Sequence, residues 1–292
     1  MFAPHGACTP ARHARKEASY MKTMPAQTEE ELLEGDGKGK DRQFVTALAR
    51  GLQILRCFTR AQPALRISEL ARMTGLPQPT VWRLCYTLIR EGYLVHVDGG
   101  DKLRPNYPVL ALGYAAISGA PVAELARPEM EELADRYQGA ISLGVRDGMH
   151  IMYLARSQRS DILIRDADVG SRVPLISAPV AWGYIAGLDE EGRKEVLKEL
   201  AGSGDARWPE LGPKLQKALA DYEKLGYVIS QGIMHDQINA VAVPVFAEDG
   251  KVAMALSYGG LAPLFPEERL ATIGQDLKAL AMRLRSAIKS AR

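Results

Sequence analysis

Gln78 and Arg83 are the residues of this chain best suited to reading the edge of another molecule. An arginine fork pairs bidentately with guanine, and a glutamine amide does so with adenine. Both lie in the run GLPQPTVWRLCYTLIREGYL, where Thr80 suits a phosphate oxygen. Trp82 and Tyr86 fall wholly or partly on the same polar side, with a partly core Trp82 as the alternative. Lys102 and Arg104 form a second, basic set suited to phosphate or minor-groove contact. A hydrolase set can be assembled from Ser177, Ser257, His150 and His235, but no GxSxG elbow, HExxH pair or phosphate loop supports it. Cys8, Cys57 and Cys85 lack CxxC spacing, which argues against a zinc site or a disulfide framework and fits a reducing cytoplasm. Cys57 and Cys85 sit among apolar residues and read as buried thiols. No metal, cofactor or catalytic activity is expected.

Elements must hold those side chains outward. Val45, Leu48, Leu52, Ile54, Leu55 and Phe58 recur at helical spacing and predict a helix from Phe44 to about Arg60–Gln62, stopped by Pro63. Ser68 is placed to cap a second helix carrying Leu70 and Met73, and Gly75 supplies the turn after it. Pro77 and Pro79 fit only a first helical turn, because neither has an N–H to donate. A third helix therefore starts near Gln78 and runs through Arg90, with Val81, Leu84, Cys85 and Leu88 as its buried stripe. Helix, glycine turn and helix with a polar outer face is the helix-turn-helix pattern, whose second helix enters the major groove. Period two then takes over in Tyr93–Val97, with a turn at Asp98–Asp101 and a return at Lys102–Arg104. A hairpin directly after such a helix is a wing. His96 within it reads as a surface residue.

Beyond the wing, residues 106–121 predict a small-residue linker helix able to pack against another copy of itself. A helix from Pro121 to Arg136 or Tyr137 follows. Strands are expected at Ile141–Val145, Ile151–Ala155, Asp161–Ala167, Gly226–Ser230, Ile238–Phe246 and Val252–Tyr258. Gly170–Leu175 reads as a loop before a helix opened by Ser177–Val180, and Phe265–Ile288 as a closing helix. Two polar helices, Asp189–Ala201 and Leu211–Leu225, lie between. This is an α+β class: a winged helix-turn-helix over 41–105, a linker over 106–121, and a sheet domain flanked by helices over 122–292.

The composition agrees with this division. The chain has 292 residues, enough for two domains, and a formal net charge of +2, so any affinity for nucleic acid must come from where the charge sits. No apolar run is long enough to predict a membrane span. Residues 1–40 lack apolar periodicity, end in GDGKGKDR and read as a disordered tail.

The segments ALARGLQILRCF, ISELARMTGLPQPTVWRLCYTLIREGYL, VGSRVPLISAPVAWGYIAG, INAVAVPVFAEDGKV and ALSYGG resemble the IclR family of transcriptional regulators, in family order, over about Gln43 to Ile288. The resemblance implies a winged helix-turn-helix and a GAF-like effector-binding domain. It also implies a dimer or tetramer on a partly palindromic double-stranded operator, with Ser68, Gln78, Pro79, Thr80, Trp82, Arg83, Tyr86, Lys102 and Arg104 toward the DNA. The implied effector sits near the start of the helix after the VGSRVPLIS-type segment, where backbone N–H groups hold small carboxylates. Carried over, Ser177, Ala178 and Val180 lie at the helix start, Ile162 and Val173 form an apolar wall, and Ser230, Ala240, Leu256 and Tyr258 come from later strands. Pro179 removes one backbone donor. His235, in a loop beside Asp236, is a further candidate. Compared with relatives that take very small acids, these positions are less acidic and more apolar. A larger anionic effector follows, an aromatic carboxylate gripped by Arg165 and either stacked on or hydrogen-bonded by Tyr258. The alternative for Arg165 is a surface pair with Asp161, Asp166 or Asp168. An interaction module that docks a protein in place of DNA is the competing function.

Overall fold

The computed structural model describes residues 43–97, 99–118, 121–159 and 168–288. The expected tail, Asp98 of the wing turn and the expected strand Asp161–Ala167 lie outside them. The chain divides into two units at Gly113 and Tyr114, inside the expected linker.

In the first unit, α1 (Thr46–Arg56) stops short of the expected Arg60–Gln62, because the Cys57 N–H already closes back on Ile54. A two-residue strand, β1 (Leu65–Arg66), was too short for any periodicity to mark. Next, α2 (Ile67–Thr74) starts one residue before the expected cap. The Glu69 carboxylate accepts the Arg66 N–H at 2.7 Å, so Ser68 lies exposed inside the first turn rather than capping it. Gly75 holds φ at 71°, a left-handed value at which a Cβ would be strained. Thr74 stitches that turn: its hydroxyl donates to the Leu70 carbonyl at 2.8 Å and accepts from the Leu76 N–H at 3.4 Å.

Then α3 (Gln78–Arg90) leads into β2 (Leu94–His96) and β3 (Lys102–Pro105), and β3 pairs antiparallel with both β2 and β1. Ile54, Leu65, Leu70, Leu76, Val81, Cys85, Leu94 and Leu103 close one small core. Leu84 and Leu88 only flank it. Helix α4 (Pro108–Ser118) follows.

The second unit is built on one antiparallel sheet. After α5 (Pro121–Tyr137) come β4 (Ala140–Asp147), β5 (His150–Gln158) and β6 (Arg172–Pro174). The last of these replaces part of the expected loop, because Val173 pairs with Ile151. Helices α6 (Pro179–Ala186), α7 (Glu190–Gly202) and α8 (Trp208–Leu225) precede β7 (Val228–Gln231), β8 (Ile238–Phe246) and β9 (Val252–Leu261). The closing α9 (Glu267–Leu284) starts after Phe265, which is fully buried. The strand order is β6-β5-β4-β9-β8-β7.

Strand alternation gives this sheet two different faces. Ile141, Leu143, Val241, Val243, Leu256 and Tyr258 pack with Met130 and Leu133 of α5 and with Leu270, Ile273 and Leu277 of α9. Ile151, Tyr153, Val228, Ala242 and Ala255 pack on the other side with Val180, Trp182 and Ile185 of α6 and Leu215 of α8. A Cβ built on Gly183 would stand 2.8 Å from the Ala242 Cβ, so α6 sits directly against β8. At about 1.5–3 kcal/mol for each large side chain fully buried, both layers contribute heavily.

Candidate functional site

Two separate sites emerge, one in each unit. Helix α3 carries Arg83 and Arg90 and no acidic residue. Val81 and Cys85 turn into the core, which forces Gln78, Pro79, Trp82, Arg83, Tyr86 and Thr87 outward. Thr80 is half-buried at the edge of that face. Trp82 is 54% and Tyr86 51% exposed, which removes the partly core alternative for Trp82. The two rings stack, with centroids 5.6 Å apart and planes at 18°.

In the wing, Leu103 is buried, so its neighbours Lys102 and Arg104 alternate away from it. Lys102 is exposed. Arg104 is more tied down than a free phosphate contact, because Nη1 donates to the Pro105 carbonyl at 3.1 Å and the guanidinium lies 5.6 Å from the Tyr107 ring centre. Arg66 meets Asp101 at 2.7 Å and ties the wing tip to the start of α2.

In the second unit the sheet divides the residues expected to share one site. Val173, Ser177, Ala178 and Val180 belong to the α6 side. Ser230 pairs with Ala240, two residues along from the Val228–Ala242 pair, so both also face α6. Leu256 and Tyr258 do not. They lie in the opposite layer, and the Tyr258 ring meets Tyr137 edge-on and Phe265 at a tilt. Moving one residue along a strand changes the face, and the residues of β9 that do look toward α6 are Ala255 and Ser257. Tyr258 therefore cannot stack on a ligand held at α6. His235 is exposed in the loop before β8. Ile162 and Arg165 lie outside the described residues.

The helix start also differs from the expected anion cradle. Ser177 and Ala178 spend their N–H groups on the Pro174 carbonyl, at 3.4 and 3.0 Å. Ala181 donates back to the Ala178 carbonyl, and Pro179 has no N–H, so only the Val180 N–H is left for a ligand. What the face offers in exchange is hydroxyls. Of the five buried polar residues described, four are Ser142, Ser177, Ser230 and Ser257. All four lie on the α6 side, since Ser142 pairs with Ser257, and Ser257 with Ala242.

One cation joins them, and sequence reasoning passed over it. Arg156 pairs with Ser142 across β4 and β5, and the register shift after Leu143 puts Tyr153 opposite Gly144 on that same face. Its Nη1 donates to the Ser142 hydroxyl at 2.7 Å and its Nη2 to Gln158 at 3.1 Å. Its Nε is buried with no acceptor among the described residues. Its guanidinium lies 5.8 Å from the Tyr153 ring centre. Burial pushes the Arg156 pKa down and that of the Tyr153 phenol up, the first partly offset by the charges of Tyr153 and Asp168. Arg207, by contrast, grips Asp205 through Nε at 3.0 Å and Nη2 at 2.6 Å, and that bond holds the Asp205 carboxyl below its usual range. Only its Nη1 reaches the site, donating to the Ser177 hydroxyl at 3.3 Å. No period in HIMYLARSQ marks Arg156, because the register shift beside Leu143 decides which face it takes.

Comparison with known proteins accounts for both units. Residues 47–98 match the family model described as the IclR helix-turn-helix domain, and residues 114–286 match that of the bacterial transcriptional regulator IclR C-terminal domain. The HTH-type transcriptional regulator TsaQ1/TsaQ2 of Comamonas testosteroni is 27% identical over 85% of this chain and 90% of its own. The Pca regulon regulatory protein of Pseudomonas putida is 29% identical over 74% and 75%. A crystal structure of an IclR family transcriptional regulator from Brucella abortus superposes with a TM-score of 0.79 at 36% identity, covering 88% of this chain and 97% of that one.

Proposed function

Since the chain belongs to the IclR family of bacterial transcriptional regulators and is itself a DNA-binding regulator, we propose that an anionic aromatic effector, held between the sheet and α6, controls its grip on DNA. The observation that carries the effector reading is that Ser142, Ser177, Ser230 and Ser257 are all buried on one sheet face, at one side of which Arg156 donates to Ser142. Buried hydroxyls and a half-buried cation cost stability unless something pairs with them. A carboxylate answers the guanidinium, whose Nε has no acceptor among the described residues. Gly183 of α6 covers Ala242, so the effector's ring would lie beside that contact, toward Tyr153 and Arg156. The fold class supports the same division of labour: an α+β protein with a winged helix-turn-helix followed by a GAF-like domain.

On the DNA side, Gln78 and Arg83 are the proposed base readers, with Ser68, Thr80, Lys102 and Arg104 toward phosphates and Pro79 at the helix start. Two copies would read a partly palindromic operator in the cytoplasm, with recognition helices about one turn of DNA apart. The effector would act by binding one arrangement of the regulator better than another, which is the only way a ligand shifts such a balance.

A thermal-shift series with benzoate, 4-hydroxybenzoate, phthalate and short keto acids tests the effector. At ~100 times its dissociation constant the right acid adds about 2.7 kcal/mol of stability. That shift should vanish in Arg156→Gln and persist in Arg165→Gln. The reverse pattern would return the carboxylate to Arg165, and no shift with any acid would remove the anionic reading altogether. Operator binding is tested separately: Arg83→Ala should lose about 1–3 kcal/mol and relax preference at one position while keeping the wild-type melting profile.

A further inference from the structure

Two aromatic rings more than half exposed on an otherwise polar helix face need a partner that hydrogen bonding does not supply. Trp82 and Tyr86 stand one turn apart on α3, beside Arg83, and lie face to face at 5.6 Å. That stack locks both side chains into one slab, so little rotamer freedom remains to be lost on contact. Neither ring enters the core of its unit, which closes without them.

A helix carrying Arg83 and Arg90 and no acid belongs against a polyanion. In the major groove, base edges offer donors and acceptors, which Gln78 and Arg83 can meet, and one apolar group, the C5-methyl of thymine. Ring centres 5.6 Å apart fall between one and two base-pair rises of about 3.4 Å, so the pair can meet neighbouring bases. Building on the DNA-binding role of α3, we propose that the Trp82–Tyr86 stack reads thymine through its 5-methyl group, so that the operator half-site carries adjacent thymines next to the base pair read by Arg83.

The test uses the full chain. A random-sequence duplex pool is enriched on the wild-type protein, and the preferred duplex is resynthesised with each thymine in turn replaced by deoxyuridine, which removes only the methyl. Wild-type binding should weaken about fourfold for each contacted methyl. Trp82→Ala and Tyr86→Ala should bind the thymine and uracil duplexes equally, whereas Tyr86→Phe, which keeps the ring and loses the hydroxyl, should retain the difference. The thymine-to-uracil ratio cancels any loss of folded fraction.

Equal wild-type binding to both duplexes overturns the proposal, as does a ratio unchanged in both alanine variants. An alanine variant that alters the oligomeric state in sedimentation and leaves the ratio intact shows that the stack meets a second copy of the chain, which also overturns it. If no duplex is enriched at all, the fault lies with the DNA-reading role of α3 itself, and a preferred duplex insensitive to uracil isolates the failure to the aromatic stack.

Discussion

At the scale of single residues, the polarity of a side chain decided less than the face it occupied. Leu256 and Ser257 are neighbours on β9, yet one is sealed beneath α5 and α9 and the other looks toward α6. Leu256→Ala should therefore cost about 2–5 kcal/mol in chemical denaturation and leave the effector-induced rise in melting temperature unchanged. Ser257→Val should do the opposite, lowering that rise with a smaller loss of stability. The expected role of Tyr258 failed for the same reason, since an aromatic residue in ALSYGG gives no sign of which neighbour faces inward when every residue from Ala255 to Gly260 is buried. The outer face of α3 was legible, because one polar side and one apolar side alternate at helical period. Arg156 was not, because only the register shift beside Leu143 brings it round to Ser142. The thiols give a further check. Burial pushes Cys57 and Cys85 up to about 11. A raised thiol pKa means the folded state keeps its protons longer, so that stability is intact below the unfolded value and drains away as pH climbs through the folded one. Melting of the first unit should fall between about pH 9 and 11, and thiol reagents at pH 7.5 should leave both cysteines unmodified until the protein unfolds.

At the scale of elements, boundaries followed from local closure and contacts from tertiary need. Helix α3 kept its expected limits because proline opens it and Gly92, at φ 79°, follows its end. β1 and β6 escaped notice because segments of two and three residues carry no period, and each exists only through its neighbour, β3 or β5. Gly75 is the joint of the DNA-reading pair of helices. Gly75→Val should destabilise the first unit by more than about 1 kcal/mol, seen as an earlier melt of that unit, because a β-branched residue strains at φ 71°. The apolar rhythm of α1 is not spent on the core of its own unit. Ile54 alone on that helix is fully buried, and Phe44, Val45, Leu48 and Leu52 remain exposed. Such a stripe suits the self-association proposed for this regulator. The double change Leu48→Glu with Leu52→Glu should shift the chain toward monomer in light scattering and weaken operator binding, with the helix content of the unit preserved. A dimer of unchanged mass would place the self-contact elsewhere.

At the scale of the whole molecule, the two units share a chain and, on the proposed reading, divide the chemistry: bases on one, a small acid on the other. Scanning calorimetry with saturating effector should raise the transition of residues 114–292 and leave that of the first unit near its original temperature, unless the two melt as one. The order of the large sheet has a consequence in time. Its central pair is β4 with β9, joining Ala140 to Gly259, so the sheet cannot close until its last strand has been made. The small core of the DNA-reading unit is complete by Leu103, and that unit ends at Gly113. At about 5–20 residues per second, a ribosome takes on the order of ten to thirty seconds to cover the stretch between them. During that interval each newly made chain carries a folded helix-turn-helix ahead of its second unit, so any DNA it met would be held without regard to the proposed effector.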